Sequence, residues 1–240
     1  NIKIQPKYKE TRFSVENKIT LMWPTYIGEF YNSNHKELKK ELLDFFAEYK
    51  KKNSNSRMGG TVSSPDDIAE KENYKLDDDL YMSKYNLHLE KSDSYRKLME
   101  FISQGFIAMA SQANKTERND LKFKKENLKV IINESWFIDY NKNGFVLPHT
   151  HPRCSWNCVY YVQIGDDVNP NNGSTFFQKS RPENHTNDFG SQYNSQTMLK
   201  MKPTEGKLII WPQYIMHGSM PYQGNNNRII VSANALVKNS

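Results

Sequence analysis

The residues best able to do chemistry stand in two stretches far apart in the chain. His149 and His151 lie one residue apart in FVLPHTHPRCSWNCVYYVQI, residues 145–164; His217 lies in GKLIIWPQYIMHGSMPYQGNNNRIIVSAN, residues 206–234. Side chains at i and i+2 of an extended segment point to the same side, with Cα atoms roughly 6 to 7 Å apart. Two imidazoles so placed can bind one ion at about 2.1 Å, and His217 is the best candidate for the third ligand. Eleven residues after His217, Arg228 opens a β-branched run. An arginine at the head of a core strand is costly to bury unless it meets an anion. Its planar fork suits a carboxylate held in two hydrogen bonds. Beside a metal, that is a clamp for a carboxylate-bearing ligand.

Several elements must position these groups. CVYYV (158–162) is β-branched and aromatic, a strand. Further strands are expected over Leu128–Tyr140, Asn157–Ile164, Ser174–Phe177, Lys207–Trp211 and Arg228–Val237. They are separated by turn signals at Pro170–Gly173 and Gly224–Asn227. On the last strand Arg228, Ile230, Ser232 and Asn234 share one face, and Ile229, Val231, Ala233 and Ala235 the other. Ahead of them, residues 1–18 read as a polar arm and Ile19–Phe30 as a strand interrupted at Pro24 and Gly28. A helix follows over His35–Lys50 with Asn34 as its N-cap. Residues 51–75 read as a polar loop, and Asp93–Gln112 as a second helix. The expected fold is mainly β with flanking helices (α+β). Its core is a double-stranded β-helix, a cupin-like jelly-roll barrel over 128–238, supported by the helices of residues 1–127 in a single domain.

Composition narrows the function. The formal net charge of +6 invites nucleic acid, but the lysine runs (Lys39, Lys40, Lys50–Lys52; Lys122, Lys124, Lys125) flank helices and lack interleaved aromatics. They read as solvated faces, and nucleic-acid contact is not favoured. The two cysteines, Cys154 and Cys158, make no disulfide framework. A zinc site combining them with the nearby histidines is conceivable, but Cys158 on its strand reads as a small apolar residue. No run is long enough to span a membrane and no secretory signal opens the sequence, so a cytoplasmic protein is expected.

The ordered set of His-x-His, distal His and Arg eleven residues later resembles the 2-oxoglutarate- and iron(II)-dependent oxygenases. HTHP before CVYYV, with G-x-L-x-x-W-P before His217 and RIIVSAN, is similar to a bacterial and phage branch of that superfamily. The resemblance covers roughly 128–237. It implies Fe(II) held by His149, His151 and His217, with 2-oxoglutarate as cosubstrate and its far carboxylate on Arg228. Tyr161 would lie beside that arginine, and Asn157 and Ser232 would also meet the cosubstrate. Molecular oxygen is the other reactant; succinate and carbon dioxide leave as an unidentified substrate is hydroxylated. Small molecule and protein side chain both stay open.

Two positions depart from the pattern. His151 stands where these enzymes usually carry a carboxylate, and Ile230 where some members carry serine. Three neutral imidazoles also suit zinc, or a cupin-like dioxygenase without 2-oxoglutarate. A non-catalytic binding module with a structural metal is the reading from another class. His151 could instead donate from behind the ligands, with Asp139 or water completing the sphere. His35, His88 and His185, in helix, strand-edge and loop contexts, read as ordinary polar residues. Trp136, Trp156 and Trp211 read as core aromatics, Trp156 being the one left open to face a substrate. The stretches 169–200 and 51–90 are expected to cover the barrel mouth and set specificity.

Overall fold

A computed structural model describes residues 25–53, 80–114, 127–166, 169–179 and 198–239. The alternation along the last long strand sets its layers. Strand β10 (Arg228–Asn239) lies between β3 (Leu128–Tyr140) and β5 (Trp156–Gln163), antiparallel to both. The larger sheet runs β1-β8-β5-β10-β3-β2, with β1 at Gly28–Tyr31, β2 at Leu80–Met82 and β8 at Lys207–Pro212. The smaller sheet runs β4-β9-β6-β7, from Val146–His149, His217–Ser219, Thr175–Gln178 and Met198–Met201.

This is the jelly roll expected, built from two antiparallel sheets that do not close into a barrel. Each sheet keeps its own hydrogen-bonded ladder and two edges, β1 and β2 on one and β4 and β7 on the other. The two sheets meet through side chains.

The outer face of the larger sheet buries Phe137, Cys158, Tyr160, Val162, Leu208, Ile210, Ile229, Val231, Ala233 and Ala235. Helix α1 (His35–Lys52) lays Leu38, Leu42, Phe46 and Tyr49 on it; α2 (Asp93–Asn114) adds Leu98, Ile102 and Phe106. The apolar positions recur at helical spacing, so each helix has one stripe to bury. Phe46 stacks on Phe137 at 4.3 Å between ring centroids. Cys158 therefore behaves as the small core residue its strand position implied.

Local expectations changed in three places. Gly28 opens β1 instead of interrupting a strand, because α2 crosses so closely that a Cβ there would collide with the Met109 side chain. Asn34 precedes α1 but its side chain caps nothing; its carbonyl accepts from Leu38 at 3.1 Å. His88 lies in a single 3₁₀ turn, Leu87–Leu89, instead of at a strand edge. The polar arm, Pro24, Gly59-Gly60, Pro65–Asp67, His185 and the basic run at 122–125 lie outside the described residues, as does most of both stretches expected to cover the mouth.

Candidate metal centre

Register, more than local spacing, brings the histidines together. Strand β4 pairs antiparallel with β9 so that His149 stands directly opposite His217. Facing residues on neighbouring strands have Cβ atoms about 4.5 to 5.5 Å apart, whatever their distance in sequence. Strand β4 ends at His149, so His151 is not on it, contrary to the extended pair expected. The chain holds His151 through its N–H donated to the Gln213 carbonyl at 3.3 Å. It then turns at Arg153, whose φ of 60° lies in the left-handed region.

The three rings converge on their Nε2 atoms. His151 Nε2 lies 3.0 Å from His149 Nε2 and 3.2 Å from His217 Nε2. All three ligand atoms fall within 4.8 Å of one another. His149 Nδ1 lies 2.8 Å from the Leu147 carbonyl and His217 Nδ1 2.9 Å from that of Ile215. A carbonyl only accepts, so both Nδ1 atoms carry the hydrogen, and the neutral rings turn bare Nε2 lone pairs toward one another. Trp211 Nε1 lies 3.2 Å from the same His217 Nδ1. A nitrogen that donates to Ile215 cannot also accept from the indole, so the carbonyl contact is the bond we assign.

Burial, reinforced by the charge His149 would carry, pushes the His217 pKa down to about 3. Burial lowers His149 as well and takes His151 well below its ordinary value, the other two rings adding to the effect. Three unprotonated imidazoles with facing lone pairs suit a divalent cation.

The cysteines and Asp139 stay out of this cluster. Cys154 Sγ contacts the His151 carbonyl and Asn157 Oδ1, and burial pushes its thiol up to about 11. Asp139 faces the other way, taking Lys50 Nζ at 2.5 Å and Asn227 Nδ2 at 2.8 Å. Trp156 packs on the helix side of the larger sheet, so the open substrate-facing role falls away. Trp136 is the tryptophan that meets the site, its ring stacked on His151 at 5.7 Å.

A cavity of about 520 Å³ runs between the sheets from these histidines to Arg228. Arg228 is 1% exposed, and neither its Nε nor its Nη1 has a hydrogen-bond partner. Its guanidinium carbon sits 4.3 Å from the Tyr140 ring centroid and 5.5 Å from that of Tyr161. The register sets Tyr140 opposite Arg228. Gly173, at φ +66°, lets the loop before β6 pass close to the arginine; a Cβ there would lie 3.1 Å from Arg228 Cδ.

The sequence-predicted ligand-binding residues fare differently. Ser232 lines the cavity. Tyr161 is fully buried under Arg228 and donates its hydroxyl to Thr175 Oγ1 at 2.7 Å. Asn157 is buried beside Cys154, away from the cavity wall, with Nδ2 unpartnered. Tyr140, Trp136 and Thr175 were missed. The alternation of ESWFIDY could have found the first two, had the pairing of β3 with β10 been legible.

Residues 134–234 match the family model described as "Putative 2OG-Fe(II) oxygenase". Among curated proteins, none matches the chain in sequence. The fold is shared with a prolyl hydroxylase from Trichoplax adhaerens solved with a hypoxia inducible factor peptide fragment: TM-score 0.52, 11% identity, 88% of this chain and 83% of that one. It is shared also with the viral collagen prolyl hydroxylase of Paramecium Bursaria Chlorella virus-1, solved with 2OG: TM-score 0.51, 9% identity, 88% of this chain and 95% of that one. A 2OG-Fe(II) oxygenase from Burkholderia pseudomallei is similar over 45% of this chain and 43% of its own, at 14% identity and TM-score 0.33. Over residues 134–234 the chain matches a family whose members use Fe(II) and 2-oxoglutarate. The cluster of His149, His151 and His217 is one that could bind iron.

Proposed function

We propose that the protein is an iron(II)- and 2-oxoglutarate-dependent dioxygenase that hydroxylates its substrate with release of succinate and carbon dioxide. One observation carries the reading. Arg228 is a buried guanidinium with two unpartnered nitrogens, sharing a cavity with a three-histidine cluster. A buried cation without an anion is strongly unfavourable, and a dicarboxylate cosubstrate supplies the missing charge. The clamp also separates this reading from a structural zinc site, which has no use for it. Among the described residues no carboxylate joins the cluster, which keeps one alternative specific: a three-histidine dioxygenase that needs no 2-oxoglutarate.

In this reading His149, His151 and His217 hold the metal. Arg228 orients the cosubstrate tail, Tyr161 and Tyr140 fix the guanidinium plane, and Ser232 lines the path between them. Iron would supply oxygen activation coupled to decarboxylation of the keto acid. The apolar walls, Val159, Ile230 and Trp211 among them, keep bulk water from the reacting atoms. The catalytic unit is the 128–238 core, with the preceding helices bracing the outer face of its sheet. Two buried free cysteines suit a reducing cytoplasm, and among the described residues no helix is long and apolar enough to cross a membrane. The test is succinate formation from 2-oxoglutarate with Fe(II) and oxygen, scored against His217→Ala. Turnover that needs iron and disappears in the variant supports the proposal; succinate at equal rates in both, or in neither, sinks it.

A further inference from the structure

The end of the cavity away from Arg228 carries a second set of unpaired groups. Arg228 and Asn234 point into the same cavity from β10, roughly 20 Å apart at about 3.4 Å of rise per residue. Between them Ser232 pairs in register with Trp136, whose ring lies on His151. The metal cluster therefore stands in the middle, with the carboxylate clamp on one side. On the other side Asn234 Nδ2 donates to Glu134 Oε2 at 2.6 Å. A carboxylate only accepts, so this bond fixes the amide orientation and leaves Asn234 Oδ1 as an acceptor. Asn234 is 2% exposed and that oxygen has no partner. Glu134 is the only acid among the described residues lining the cavity, and no described cation lies within ion-pair distance of it. Arg153, on the exposed rim, does not reach it. The adjoining wall is aromatic, Tyr85 meeting Trp136 edge to face at 4.9 Å.

We infer that Glu134 and Asn234 receive the cationic nitrogen of the substrate, so that the enzyme acts on a basic, amine- or guanidine-bearing molecule or side chain. This rests on the oxygenase reading for the chemistry, though not for the binding. An ammonium or guanidinium offers the N–H donors that the carboxylate and the Asn234 oxygen lack, and its charge is favoured beside aromatic rings. Glu134 lies two residues from Trp136 along β3, roughly 7 Å. The carbon presented to the metal is then several bonds from the nitrogen.

The experiment titrates n-pentylamine and n-butylguanidine, with n-pentanol as neutral isostere, into the manganese- and 2-oxoglutarate-loaded protein without oxygen, read by tryptophan fluorescence and calorimetry. The cationic probes should bind about tenfold or more tighter than the alcohol, and Glu134→Gln should abolish that preference. Glutamine keeps a carbonyl for Asn234 Nδ2, so manganese and 2-oxoglutarate affinities and the melting temperature should hold. Equal binding of cation and alcohol, or a preference that survives Glu134→Gln, overturns the inference. If the wild type fails to take up manganese and 2-oxoglutarate, the oxygenase reading falls instead, and the same titration of the metal-free protein still decides the amine question.

Discussion

The two faces of β10 are built for opposite ends. Toward the helices, Ile229, Val231, Ala233 and Ala235 join an unbroken apolar layer. Toward the smaller sheet, Arg228, Ser232 and Asn234 are equally buried, yet Arg228 and Asn234 end in unpartnered atoms. Burial of apolar surface stabilises the first face at about 25 cal/mol per Å². The second costs stability, because each buried polar atom left unpaired carries a desolvation penalty of about 1 to 3 kcal/mol. A sheet that holds its own strands together through one face can afford ligand-seeking groups on the other.

The comparison breaks most visibly on the helix side. Phe46→Ala should cost about 3 to 5 kcal/mol of stability by emptying the stack on Phe137. Manganese affinity per folded molecule should stay unchanged; chemical denaturation and metal titration together check both. On the site side, His217→Ala should weaken manganese binding by about 100-fold or more, as expected for a lost ligand. Its unfolding midpoint should fall by less than that of Phe46→Ala, since the loss is one hydrogen bond to the Ile215 carbonyl and the contact with Trp211.

Smaller effects sharpen the contrast. Tyr161→Phe removes one buried hydroxyl donor to Thr175 and should cost about 1 kcal/mol, measured by urea unfolding. At the protein's edge, Asp166 accepts from the Asn225 and Asn226 amides and from the Tyr222 hydroxyl. These bonds, led by the Asn226 amide, hold its carboxyl below the ordinary value. A depressed carboxylate stabilises the fold above its unfolded pKa of about 3.9 and loses that contribution as acid protonates the folded form. The melting-point gap between wild type and Asp166→Ala should thus be full at neutral pH and close only below about pH 4. A gap that widened in acid would mean the bonds prefer the protonated group.

How far the sequence reached follows from which forces are local. The faces of β10 were readable because period-two alternation is a property of the backbone. Helices α1 and α2 announced themselves through their apolar stripes. His149, His151, His217 and Arg228 were singled out by type and order, but their meeting depends on the pairing of β4 with β9, a long-range register that no local pattern encodes. The same limit hid Tyr140, set under Arg228 only by the β3–β10 ladder. Trp136 and Trp156 are the buried aromatics expected, but nearness in sequence to the histidines left Trp156 as the one open to a substrate, whereas the strand face sets Trp136 at the site. The jelly roll was legible, but not that its sheets stay open, because alternation predicts two-faced strands without saying whether the sheets join at their edges.

The central claim is that Arg228 is an unpaired cation awaiting a carboxylate beside a metal. Its most direct test is anaerobic calorimetric titration of 2-oxoglutarate into the Fe(II)-loaded protein, comparing wild type with Arg228→Met. The account predicts that the variant keeps its iron, unfolds at the same or a higher temperature for want of the buried charge, and binds 2-oxoglutarate at least about tenfold more weakly. Equal affinity in the two proteins, or a variant destabilised as if a satisfied ion pair had been broken, would contradict it.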